Sequence, residues 1–274
     1  MPHLTEEIET RISRSSLFLL DLDGTIYRGN ELIAGARAFI GQLAARRIPY
    51  VFLTNNSSKR AMDFLKTLQG LGIEASIDNV FTSGQATGLY LSRQKPMARI
   101  CLVGTAALAR ELAAYGISTA EDDGPVDFVV VGFDSELTYS KLLKACSHID
   151  RGVEYVATNP DYVCPIQGGR SIPDCGSICF MIEQATGKKP LVIGKPSPEM
   201  VHLLCRKFQV TPERTTIIGD RLYTDIALGR NAGAFTICVM TGESSLADIE
   251  QSPVKPDLTI GSIDELNRLF RRAP

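Results

Sequence analysis

Asp21 and Asp23 stand two residues apart in Asp21-Leu22-Asp23-Gly24-Thr25, directly after the apolar run LFLL at 17–20. On an extended chain that spacing starts both carboxylates on one face. Carboxylates held so close repel each other, more so when buried, and a hard divalent cation such as Mg²⁺ relieves the repulsion. Gly24 permits a tight exit from the strand, leaving the backbone carbonyl near Asp23 able to face such an ion. Asp-Gly is also a common turn pair, so this segment alone does not separate a site from a turn.

Three more polar clusters follow apolar runs in the same way. YVFL (50–53) leads into Thr54-Asn55-Asn56-Ser57. Its hydroxyl, amide and N–H groups can cradle phosphate oxygens, and the same residues can cap a helix. LVIG (191–194) leads into Lys195-Pro196. A cation there neutralises phosphate and carboxylate charge, although an exposed loop is the commoner setting for a lysine. TTIIG (215–219) leads into Asp220, with Asp225 about a turn further on. Asp220 would complete a metal shell, and Asp225 can orient Lys195 or a metal-bound water. The four clusters together define a phosphoryl-transfer reaction. Asp21 attacks phosphorus to form an acyl phosphate, and Asp23 protonates the leaving oxygen and then takes a proton from water. Mg²⁺, Lys195 and Thr54 stabilise the equatorial oxygens.

The elements that must position these residues are legible as short apolar runs separated by segments of helical spacing. Besides those above, the runs are RICLVG (99–104), FVVVGF (128–133), EYVAT (154–158) and FTICVM (235–240). Helical spacing occupies 31–47, 59–71, 105–115, 139–151, 197–209 and 262–271. Continuous apolar runs suit parallel strands covered on both faces, and the alternation predicts a doubly wound α/β core. Ligands bind such sheets outside the carboxyl ends of the strands, where the four clusters lie. In Lys195-Pro196-Ser197-Pro198-Glu199 the residue types predict Ser197 as N-cap of a helix with Pro198 at its first position.

The four clusters resemble, in order, the four motifs of the haloacid dehalogenase (HAD) superfamily. The resemblance implies a Rossmann-like core with Asp21 as nucleophile, and with Asp23 as acid/base whose backbone carbonyl faces Mg²⁺. It further implies Asp220 as a direct ligand, Thr54, Asn55 and Lys195 as phosphate-holding groups joined by Asn56 of the same loop, and Asp225 as a supporting residue. An acid at position 23 points to phosphoester hydrolysis, because the family's dehalogenases and phosphonatases lack it. The interval from Thr54 to Lys195 is 141 residues, far too long for a loop, so a second α/β domain is expected at 84–188, with 1–83 and 189–274 forming the core. That insertion point, with TNNS, TNPD (158–161) and GKPSP, resembles the NagD/4-nitrophenylphosphatase branch and its C2-type cap. Within the cap, Thr158-Asn159-Pro160-Asp161 and the loop carrying Asp174 are Gly-, Pro- and Asp-rich. In relatives this region selects the leaving group, so Asp174 is expected to bind substrate; ordinary turn chemistry is the alternative.

The remaining sequence bounds the function. The chain has 274 residues, 44% hydrophobic and 22% charged, with a net charge of −2. No basic field recruits nucleic acid or anionic lipid. No apolar run approaches the roughly 18 residues needed to span a bilayer. Seven Cys without a CxxC pair read as reduced thiols, and a polar N-terminal stretch argues against a signal peptide, so a cytoplasmic location is expected. His3, His148 and His202 are scattered without ligand spacing. The expected partner is a small phosphorylated substrate, with homodimerisation through the cap implied by the resemblance. Two other readings are a phosphotransferase or mutase on the same core, and a non-catalytic metabolite-binding protein.

Overall fold

The computed structural model of the protein describes residues 10–166 and 170–272. Residues 10–13 are helical, and there follow β1 (Leu17–Asp21), the short pair β2 (Tyr27–Arg28) and β3 (Glu31–Leu32), α1 (Ala36–Ala45), β4 (Tyr50–Thr54), α2 (Ala61–Gly70) and β5 (Val80–Thr82). There follow α3 (Ser83–Gln94), β6 (Arg99–Val103), α4 (Ala106–Ala113), β7 (Ser118–Thr119), β8 (Phe128–Val131) and α5 (Tyr139–Asp150). Next come β9 (Glu154–Ala157), the hairpin strands β10 (Val163–Ile166) and β11 (Arg170–Pro173), α6 (Cys175–Thr186) and β12 (Leu191–Val192). The chain closes with α7 (Glu199–Phe208), β13 (Thr215–Gly219), α8 (Ala227–Ala232), β14 (Phe235–Val239), α9 (Leu246–Gln251), β15 (Leu258–Ile260) and α10 (Ile263–Arg272).

Two compact units result. The first takes the described residues up to Leu53, Leu65–Val80 and those from Pro196 on; the second takes Thr54–Phe64 and Phe81–Lys195. The first carries a six-stranded sheet in the order β15-β14-β13-β1-β4-β5, in which β1 pairs in parallel with both β13 and β4. Leu17, Phe18, Leu19 and Leu20 are all fully buried, as a central strand covered on both faces requires. On one face Phe18, Phe39 of α1 and Phe270 of α10 form an edge-to-face trio with ring centroids 5.6–5.7 Å apart. Arg46 lays its guanidinium over Phe270 at 4.5 Å and so closes the outer side of the trio.

The second unit is built on a five-stranded sheet, β12-β9-β8-β6-β7, with parallel pairings throughout. Val103, Val129, Val131 and Ala157 pack one face of it against Ala145 and Ile149 of α5 and Ile178 and Ile182 of α6. Glu111 of α4 ties other elements of this unit together. Its buried carboxylate accepts from Ala61 N–H, at the start of α2, and from the Thr82 hydroxyl, the N-cap of α3.

Two local expectations are corrected. The LVIG run does not join the sheet that holds β1, β4 and β13: Leu191 and Val192 pair with Val156 and Ala157 of β9. Leu191 and Val192 thus lie within the second unit. Helix α7 starts at Glu199 with Pro198 as N-cap, not Ser197, whose hydroxyl reaches Glu199 N–H only at 3.5 Å. Among the described residues no helix is long and apolar enough to cross a membrane.

Candidate active site

The acidic residues of the first unit gather where its parallel strands end. Asp21 is the last residue of β1, and Asp220 follows Gly219, the last residue of the neighbouring β13. Between Asp220 and α8 the chain makes a π-helical turn over Leu222–Ile226, an irregularity common at functional sites. The turn brings Asp225 back beneath the strand end, where its carboxylate accepts from Arg221 N–H at 3.1 Å. One carboxylate oxygen from each of Asp21, Asp220 and Asp225 lies within 4.8 Å of the other two. Asp220 and Asp225 are buried and Asp21 is half-buried. Three carboxylates so close repel one another. Their hard oxygens fit a divalent cation, whose charge offsets that repulsion.

The surrounding backbone is shaped to these acids. Gly24 has φ +84°, and a Cβ there would meet Asp220 Oδ2 at 2.6 Å. Gly219 is held bare by Asp225, whose Cβ and Cγ would both lie 2.3 Å from an added methyl. Asp23 is exposed and stands outside the three-carboxylate group. It follows Leu22, whose carbonyl accepts from Ile26 N–H at 2.9 Å, and the turn closes with Gly24 N–H donating to Tyr27 C=O at 2.8 Å. Burial, then the charges of Asp23 and Asp21, push the Tyr27 phenol well above its ordinary range. The Cys238 thiol, beneath the same cluster, is pushed up to about 12 by burial and then by Asp220 and Asp225. Arg221 remains a cation: burial opposes its charge, but Tyr223, Glu243, Asp21 and Asp220 outweigh burial and raise its pKa. Its Nε lies 2.9 Å from Glu243.

In the second unit the predicted phosphate-holding residues form a buried polar network. Asn55 Oδ1 accepts from Lys195 N–H at 2.9 Å, while its Nδ2 donates to Lys195 C=O at 2.9 Å and to Asp161 Oδ2 at 2.8 Å. Asn56 turns the loop: its N–H donates to Thr54 Oγ1 and its Oδ1 accepts from Ser58. Asp174 is 4% exposed and is the N-cap of α6, its Oδ1 accepting from Cys175 N–H and from Asn159 Nδ2. The expectation that Asp174 meets substrate is thus set against a side chain already engaged in capping a helix and holding an amide.

Several site residues escaped the sequence reading. The segment Thr241-Gly242-Glu243-Ser244 after β14 is a fifth strand-end polar cluster. Glu243 N–H donates to Asp220 Oδ2 at 2.6 Å, Ser244 N–H to Asp220 C=O, and the Thr241 hydroxyl to Gly24 C=O at 2.6 Å. Gly242 lies so close that a Cβ would sit 1.8 Å from Asp220 Oδ2. The strand-end rule that found the other clusters would have found this one. Asn159 and Asp161 stood in a recognised loop without a role.

The sheet order, the strand-end acids and the inserted α/β unit are those of the HAD class of hydrolases. Family models agree: one described as haloacid dehalogenase-like hydrolase matches residues 18–118, and one described as HAD-hydrolase-like matches 192–266. The chain belongs to the haloacid dehalogenase-like hydrolases, and within them to the NagD/4-nitrophenylphosphatase branch of phosphoric monoester hydrolases. It is 36% identical to the acid sugar phosphatase of Staphylococcus saprophyticus over 249 residues, which covers 91% of this chain and 95% of that one. The crystal structure of 4-nitrophenylphosphatase from Thermotoga maritima superposes with a TM-score of 0.90 at 41% identity, covering 95% of this chain and 99% of that one. NagD from E. coli K-12 superposes at 0.85 with 34% identity, over 92% and 98% of the two chains.

Proposed function

We propose that this phosphatase is Mg²⁺-dependent and hydrolyses small phosphorylated metabolites through an aspartyl-phosphate on Asp21. The observation that carries this reading is the convergence of Asp21, Asp220 and Asp225 at the ends of neighbouring parallel strands, with an exposed second acid, Asp23, two residues beyond the nucleophile. An Asp21 oxygen attacks phosphorus as the ester P–O bond breaks, and Asp23 gives its proton to the departing oxygen. Water then attacks the same phosphorus, Asp23 takes its proton, and the acyl P–O bond breaks to return Asp21 and release phosphate. Asp21, Asp220 and the Asp23 backbone carbonyl would hold Mg²⁺, which when bound supplies positive charge to the phosphoryl oxygens. Asp225 supports the cluster through Arg221 N–H. Thr54 and Lys195 are assigned to the phosphate oxygens, and the Asn55 side chain to holding Lys195.

Hydrolysis is favoured over mutase chemistry by what lies between β1 and β4. That interval holds only the β2–β3 pair and α1, so no helical cap of the kind mutases carry is inserted there. Asp174 is assigned a structural role in the cap loop, because its carboxylate caps α6. Sugar phosphates lead the substrate panel, since the curated relative is described as an acid sugar phosphatase. Purified protein assayed on sugar phosphates, nucleoside monophosphates and 4-nitrophenyl phosphate should release free phosphate, require Mg²⁺, and lose at least about 10³-fold in kcat as Asp21→Asn. Borohydride reduction during turnover should trap an acyl phosphate at Asp21. Full turnover by Asp21→Asn, or in excess chelator, refutes the reading.

A further inference from the structure

Lys195 carries its ammonium on a long flexible stem, so its placement depends on how firmly its backbone is held. The carboxamide of Asn55 brackets that backbone, touching both the N–H and the C=O of Lys195. Asn55 and Lys195 both belong to the second unit, so the bracket ties the segment after β4 to the segment after β12. The N–H and C=O of Lys195 set the direction of the bracket, and Asp161 reinforces it. A carboxylate only accepts hydrogen bonds, so Asn55 must present Nδ2 to Asp161 at 2.8 Å and therefore Oδ1 to Lys195 N–H. The flipped amide would face like poles at all three contacts. Asp161 is fixed in turn by Asn159 Nδ2 at 3.0 Å and by Gly176 N–H on its own carbonyl at 2.8 Å. Asn159 reaches on to Asp174 at the start of α6. Asn55, Asn159, Asp161, Asp174 and Lys195 are all 9% exposed or less. The space is closed as well: a Cβ on Gly194 would lie 2.7 Å from Asn55 Oδ1 and 2.3 Å from Thr158 C=O.

We propose that Asn55 and Asp161 are positioning residues for Lys195, with Asn159 and Asp174 anchoring Asp161 to the helix start. The inference rests on the reading of Lys195 as a phosphoryl-stabilising group. Low-dielectric surroundings make such a network strong when complete and damaging when broken. Asn55→Asp removes both donors and sets a carboxylate against Asp161 and Lys195 C=O. Adding Asp161→Asn reverses the polarity of that pair: the amide at 161 then donates to the carboxylate at 55, which still accepts from Lys195 N–H, in exchange for the bond that Asn159 Nδ2 gives to the same Oδ2.

The test uses the full chain with Mg²⁺ and 4-nitrophenyl phosphate, reading kcat and KM separately beside thermal unfolding. Asn55→Asp should lower kcat about 100-fold or more, with a much smaller effect on KM. The double variant should recover kcat by about tenfold over Asn55→Asp, beyond the product of the single effects. Asp161→Asn alone preserves volume but removes the charge from the Oδ2 to which both Asn55 and Asn159 donate, so it tests the inference even where Asn55→Asp does not fold. It should lower kcat about tenfold without a matching fall in unfolding temperature. Wild-type kcat in either single variant, or a double variant no better than the product of the singles, overturns the proposal. Lys195→Met separates the two levels. Full activity there refutes the role of Lys195 and the bracket with it, whereas a large loss there with wild-type Asn55→Asp refutes the bracket alone.

Discussion

Gly242→Ala is the smallest change the structure expects to disable the metal-side acids. The added Cβ would lie 1.8 Å from Asp220 Oδ2, 2.2 Å from Cγ and 2.3 Å from Cβ, whereas ordinary contact begins at 3.4 Å. One side must therefore move by about 1.6 Å, the difference between the two oxygen distances. Asp220 cannot yield that far and keep both its hydrogen bond from Glu243 N–H at 2.6 Å and its place within 4.8 Å of Asp21 and Asp225. Losing a hydrogen bond to a charged group costs about 1.5–3 kcal/mol, and displacing a reactive constellation by about 1 Å costs about 100-fold in rate. The variant should thus lose about 100-fold in kcat on 4-nitrophenyl phosphate and need more divalent cation for half-maximal activity. Gly152→Ala serves as control: its φ of +87° makes a side chain strained, but nothing lies within 4 Å of the added Cβ. It should lose about 1–2 kcal/mol of stability and keep its kcat. A Gly242→Ala enzyme with wild-type kcat and metal dependence would refute the claim that this glycine makes room for Asp220.

Three further outcomes follow from single features. Divalent cation should stabilise the folded protein by mass action, by about 2.7 kcal/mol at a hundredfold excess over Kd, and so raise the unfolding temperature; Asp220→Asn should abolish the shift. The carboxyl of Glu111 is raised above its ordinary range by burial, opposed by its hydrogen bonds from Ala61 and Thr82. A raised carboxyl favours the folded state below its unfolded pKa, and that advantage is lost as pH rises through the folded value. Glu111→Gln does not titrate, so wild-type stability relative to it should improve as pH falls from neutrality toward the unfolded carboxyl range; a pH-independent difference in calorimetry would contradict this. Phe270→Ala removes one member of the Phe18–Phe39–Phe270 trio and should cost about 3–5 kcal/mol in denaturant unfolding.

Much of the core was legible because its chemistry is local. A parallel strand buried on both faces must be apolar along its length, so polar groups appear where it ends. That is why Asp21, Thr54 and Asp220 stand out behind LFLL, YVFL and TTIIG. Helices with a polar and an apolar face, such as α5 and α7, were readable from spacing for the same reason. Helix α3 was not, since Ser83–Gln94 contains two glycines and no clear apolar stripe. It is held by the Thr82–Gln85 capping box, by Glu111 on Thr82, and by the Tyr115 ring, which would lie 2.5 Å from a Cβ on Gly88. Those partners come from other parts of the chain.

The same division separates the two halves of the site. The acids were legible together, because Asp21-Leu22-Asp23 alone could be a turn but polar clusters after four apolar runs point to one site. The amides and acids of the cap loop were not. Asn55, Asp161 and Asp174 have the donors and acceptors to hold a substrate or to hold each other. Nothing in their identity or spacing says which. What the tertiary structure adds is their burial and the hydrogen bonds Asn55–Asp161, Asn159–Asp161 and Asn159–Asp174, which support the second use. Gly242 is the limiting case: it has no side chain to signal chemistry, and its importance is a distance to Asp220 that exists only once β13 and β14 lie side by side.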